Sequence, residues 1–114
     1  MNPRPDLIRI QDILEAISTI EDYKDSLYMY ERDEYIKQVF FSAILYHLVI
    51  IGEAVNNMTA RTKAQYKFDK WQKVVALRNQ LVHKYSGIDR DMILNILANG
   101  LIELKMALDP EGAI

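Results

Sequence analysis

A chain of 114 residues, half of them apolar and with a formal charge of −2, is long enough for one hydrophobic core, so residues 1–114 are expected to form a single domain. It contains no cysteine, which excludes disulfides, thiolate metal sites and cysteine nucleophiles and fits a reducing, cytoplasmic compartment. No apolar stretch follows a basic start at Met1–Asp6, and the most apolar run, Val39 to Ile51, is 13 residues with Ser42 and His47 inside it. A secretory signal and a membrane span of roughly 20 residues are therefore not expected.

In chain order, Leu7, Ile10, Ile13, Leu14, Ile17 and Ile20 recur at helical spacing and predict a first helix from Asp6, as N-cap, to about Tyr23. A polar connection from Lys24 to Arg32 follows. The second helix is predicted to open after Asp33 and run to Asn57. Between Val39 and Ile51 it is apolar on almost every side, which suits a helix covered internally on one flank and by a second copy on the other, so a homodimer is expected. Residues 60 to 67 read as a short helix or a loop. Asp69 is expected to cap a third main helix that buries Trp71, Val74, Val75, Leu77, Leu81 and Val82, with Gly87 taking the left-handed conformation that ends it near Tyr85. Asp89 then caps a fourth, carrying Met92, Ile93, Ile96, Leu97, Leu101, Leu104 and Leu108, before Pro110 and Gly112. The sum is an all-α, antiparallel four- to five-helix bundle.

Charge is uneven along this frame. Residues 61–90 hold eight Lys or Arg against Asp69 and Asp89, a net +6, leaving −8 for the remainder. Such a segment either makes an ordinary solvated helix face or steers an anionic ligand such as nucleic acid.

Within it, Arg78, Asn79, His83, Lys84 and Tyr85 stand close together. Histidine exchanges a proton near neutral pH, and arginine clamps two phosphate oxygens. On a straight helix Arg78 aligns with Tyr85, and Asn79 with His83, giving two pairs and no single cluster. The two pairs act on one phosphate only if the last turn unwinds or a second subunit completes the site. The bland alternative for His83 is a structural histidine, and His47 takes that reading in full. Glu53, a lone carboxylate on an apolar helix, reads as an ion-pair partner for Arg78. Two distant histidines without cysteine or a HExxH spacing give too few ligands for zinc, and no Gly-rich phosphate loop is present, so neither metal nor cofactor is expected.

The spacing Arg78-(four residues)-His83-Lys84-Tyr85 matches the R-X4-H-X-Y signature of HEPN domains. The string RNQLVHKYSGID resembles the HepT-like toxin branch of that superfamily, as do DILEAI at 12–17 and IIGEA at 50–54. The resemblance implies a dimeric, metal-independent endoribonuclease toxin of a type VII toxin–antitoxin pair. Arg78 and His83 would be catalytic, with Asn79 in support and Lys84 and Lys73 contacting RNA. Tyr85 would be the tyrosine that a cognate MntA-type minimal nucleotidyltransferase antitoxin modifies with AMP, silencing the toxin. A second expectation is a non-catalytic binding module that partners a nucleotidyltransferase and holds nucleotide or RNA without cutting it.

Overall fold

The computed structural model describes residues 5–84 and 87–112, and all its regular elements are helical. Helix α1 spans Asp6–Met29 and α2 spans Glu34–Asn57. The tight turn between them makes an antiparallel hairpin, the most extensive helix pair in the molecule. Asp33 caps α2 as expected, its side chain accepting from Ile36 N at 3.1 Å. Helix α1 runs past Tyr23 because nothing in Lys24–Met29 breaks a helix and Leu27 packs on the core. Its N-cap is Pro5 and not Asp6. Asp6 instead reaches across the molecule, where its Oδ2 accepts from Thr59 N at 3.1 Å and Thr59 Oγ1 at 2.7 Å. Thr59 in turn caps the one-turn helix α3, Ala60–Lys63.

Helix α4 spans Trp71–His83. Lys70, not Asp69, occupies its N-cap without a side-chain hydrogen bond, and the start is secured by Trp71 packed edge-on to Phe68 at 4.7 Å. The helix ends at Lys84, earlier than Gly87, which does not have positive φ; among the described residues only Gly112 does. Of the expected α4 core only Trp71 and Leu81 are fully buried, and Val82 is exposed. Asp89 caps helix α5, Arg90–Asn95, accepting from Asp91 N and Met92 N. A π-turn at Ile96–Gly100 joins α5 to α6, Leu101–Leu108. The buried residues explain it. Ile93, Leu97 and Leu101 are spaced by fours, which on a regular α-helix drifts by about 80° over two intervals, and a wider turn keeps them on one face.

The core consists of the inner faces of α1 and α2, with Trp71 and Leu81 of α4 and Ile93, Leu97, Leu101, Leu104 and Leu108 of the last helical stretch laid on them. Helix α2 is not buried all round. Ile44, Leu45, Leu48 and Ile51 are inside, while Tyr35, Val39 and Tyr46 lie on an open flank. At 24 residues it is, by length and composition, long and apolar enough to cross a membrane, contrary to the reading of the short apolar run; here it is the helix on which α1 and α4 pack.

Candidate active site

Helix α4 carries the motif and is positioned by one close crossing. A β-carbon at Gly52 would lie 2.2 Å from Arg78 Cβ and 2.8 Å from Arg78 Cγ. Only a residue without a side chain lets α4 approach α2 there. The stem of Arg78 passes over Gly52, and its guanidinium meets the next residue: Arg78 Nε donates to Glu53 Oε1 at 2.8 Å, and Nη2 donates to the same oxygen. Arg78 Nη1 donates to Asn79 Oδ1 at 2.8 Å. The Arg78 side chain is 24% exposed. Among the described residues, three bonds to Glu53 and Asn79 fix the guanidinium plane, and the terminal nitrogens of an arginine carry N–H groups of the kind that pair with phosphate oxygens.

Glu53 as the partner of Arg78 agrees with the sequence reading. The role of Gly52 is absent from that reading. Asn79, expected to pair with His83, is found on Arg78 instead, steadying the arginine.

His83 is the last residue of α4 and is exposed, as is Lys84 beyond it. Arg78 and His83 are five positions apart on a continuous helix, so their directions differ by about 140°. The unwinding that would bring them together does not occur before His83. Tyr85, the expected modification site, lies outside the described residues. Lys73 points elsewhere, into a cavity of about 460 Å³ between α4 and the π-turn that Leu77 and Gln80 also line. Lys70 closes one end of that cavity with a 2.9 Å bond to Glu103, and this bond and the Glu103 charge raise the Lys70 pKa.

His47 is a structural histidine, half-buried, with Nδ1 2.8 Å from Ala43 O and its ring edge-on to Tyr23 and Tyr46. Among the described residues no three His, Cys, Asp or Glu side chains converge as a metal site would require.

A model of the HepT-like ribonucleases matches residues 13–110. The chain belongs to this family. Among its relatives, a "putative RNase" of Methanocaldococcus jannaschii is 32% identical over 79% of this chain and 73% of its own length. A "probable ribonuclease HepT" of Thermococcus cleftensis is 29% identical over 84% of this chain and 86% of its own length. A longer protein of M. jannaschii, named as a gamma-glutamylcyclotransferase and "putative RNase", is 29% identical over 86% of this chain. The match takes in only 43% of that protein. No solved structure matches the chain. Ribonuclease activity is thus the family-level property to which the Arg78–His83 helix has to be related.

Proposed function

We propose that this HepT-like protein is an endoribonuclease toxin that cuts RNA in the cytoplasm without a metal ion, as a homodimer. The observation that carries the proposal is the guanidinium of Arg78, held in place by Glu53 and Asn79, on the same helix as an exposed histidine. His83 takes the proton of a ribose 2′-hydroxyl or delivers one to the 5′-leaving oxygen, a contribution of about 10²- to 10⁴-fold. Arg78 stabilises the extra negative charge that develops on the phosphate oxygens.

The divergence of Arg78 and His83 on one helix supports a site shared between two copies. The open flank of α2 gives a second copy somewhere to sit. Tyr35, Val39, Ser42, Tyr46, Val49 and Glu53 fall within about 40° to either side of one line along the helix, ending at the carboxylate that grips Arg78. In such a pair the +6 segments meet across a two-fold axis and make a basic cleft on an acidic protein. An AMP group on Tyr85, added by an MntA-type nucleotidyltransferase antitoxin, would add negative charge to the basic segment that carries Arg78 and so weaken its attraction for RNA.

The test is RNA cleavage by the purified protein in EDTA, beside His83→Ala and a sample treated with ATP, magnesium and a nucleotidyltransferase from a neighbouring gene. Cleavage that disappears in the variant, and on a mass gain of AMP at Tyr85, is the expected result. Undiminished cleavage by His83→Ala overturns it. The binding-module reading is favoured by the engagement of Arg78 with a carboxylate in a single chain, and predicts a stable complex with the nucleotidyltransferase and no turnover.

A further inference from the structure

A second cavity, of about 530 Å³, lies where the end of α1, the start of α2 and α5 meet. Its volume is that of a small-molecule site, roughly 300–1,000 Å³. Among the described residues Lys24, Lys37 and Arg90 line it against one acid, Glu31, in a protein whose net charge is negative. Its floor is Leu27, Phe41 and Leu97. The Arg90 guanidinium lies 4.7 Å over the Phe41 ring, which leaves the outer face of a planar cation open to a stacking partner. Tyr28, 69% exposed, supplies an aromatic ring on another wall. Among the described residues Lys37 is held by a 3.4 Å contact with the exposed Glu34, a weak ion pair that is readily given up.

Stacking planes between paired cations are what a nucleotide of a single strand requires: a π-face for the base and positive charge for the phosphates on either side. The cavity is also in line with the candidate active site. Arg78 lies against Gly52 and Arg90 against Phe41, so the chain from α4 into α5 descends α2 in the reverse direction, past the exposed His83 and Lys84. From Glu53 to Phe41 is about 18 Å along α2, about five stacked nucleotides. Lys37 and Phe41 are each two residues from Val39 and so point about 160° away from it, and a second copy seated on the Val39 flank leaves the cavity open.

We infer that this cavity is a substrate-positioning subsite that holds one unpaired nucleotide of the RNA several nucleotides from the cut, the base between Tyr28 and Arg90 and the flanking phosphates on Lys24 and Lys37. The inference rests on the ribonuclease reading for its role and on the cavity alone for binding.

The experiment compares wild type with Lys24→Gln/Lys37→Gln and with Tyr28→Ala, none of them in the buried core. KM and kcat are measured on an RNA of about ten nucleotides and on a dinucleotide. Binding of the longer RNA is measured by anisotropy in a His83→Ala background at several salt concentrations. The expected result is a KM about tenfold higher on the longer RNA with kcat kept, no change on the dinucleotide, and a salt slope smaller by about 1.4 for two lost phosphate contacts. Unchanged affinity and slope overturn the subsite, as does an equal loss on both substrates, which would make the lysines part of the general field. If wild type cuts nothing, the ribonuclease reading fails while the anisotropy still decides whether the cavity holds RNA.

Discussion

Arg78 and His83 stand five residues apart on one helix, and the fold treats them in opposite ways. Arg78 is half-buried, crosses a glycine in the neighbouring helix, and has its plane fixed by hydrogen bonds to Glu53 and Asn79. His83 is exposed on the terminal residue of α4, where the helical hydrogen-bond ladder stops. In the proposed site, the charge-stabilising half would thus be built by the folding of one chain, whereas the proton-transfer half would be positioned by the RNA or a second copy. Removing each residue should therefore have a different signature.

The largest effect is expected at His83. His83→Ala should lower cleavage by about 10²- to 10⁴-fold while leaving the melting temperature within about a degree of wild type, because an exposed helix-terminal side chain carries little packing. Arg78→Ala should cost comparable activity and also lower stability, since it strands Glu53 and strips the stem that fills the space over Gly52. Calorimetry beside a fluorogenic RNA assay separates the two. Equal melting temperatures in both variants would remove the contrast.

Next in size is Gly52→Ala. The added methyl would sit 2.2 Å from Arg78 Cβ, an atom too near the backbone to swing aside, so α2 and α4 must part. Overpacking of this kind costs about 1–3 kcal/mol. Activity should fall with it, because the guanidinium moves off Glu53, while a Gly→Ala change at Gly100, whose β-carbon would meet Ile96 Cγ2 at an ordinary 3.7 Å, should leave cleavage intact.

Smaller again is Glu53→Gln. The pair is part-exposed, with the Glu53 side chain 45% accessible, so its loss should change stability by no more than about 1 kcal/mol. The informative readout is kinetic. If Glu53 orients Arg78 for the transition state, kcat falls with KM nearly constant; if it merely competes with RNA for the guanidinium, KM falls.

How much of this is legible in the sequence follows from which residues announce themselves. Asp33 and Asp89 are acceptors in front of apolar periodicity, and both act as the caps that this pattern predicts. Glu53 stands out as the one carboxylate on an apolar stretch, and its partner follows from that. The crossing is not legible, because a sequence shows that Gly52 lacks a side chain without showing which atom fills the vacated space. Asp6 and Asp69 have the composition of caps but lose that role to tertiary geometry: Asp6 is drawn to Thr59, 53 residues away. Gly87 has the character of a helix stop, yet α4 gives out at Lys84. The cavity near Phe41 is invisible in the sequence for the same reason as the crossing, since Lys24, Lys37 and Arg90 are scattered along the chain and share a surface only once α1, α2 and α5 are packed.

Asp6 supplies the smallest effect and the control for the comparison. Hydrogen bonds from the hydroxyls of Thr62 and Thr59, from Thr59 N and from Arg9 hold its carboxyl far below the ordinary carboxylate range, against the opposing effect of burial. Because the folded value is the depressed one, the stabilisation is complete above the unfolded value near 3.8 and is lost progressively as pH falls below it. Asp6→Asn should therefore lower the melting temperature by a few degrees at pH 7, about 1 kcal/mol, with the gap to wild type narrowing progressively as the pH falls below about 4. Cleavage at neutral pH and moderate temperature should be unchanged, since Asp6 joins the start of α1 to the cap of α3 and touches neither Arg78 nor His83. A loss of cleavage in Asp6→Asn without a loss of stability would mean that the end of α2 transmits its position to the Gly52 crossing, and Arg78 would then be held by more than its own three bonds.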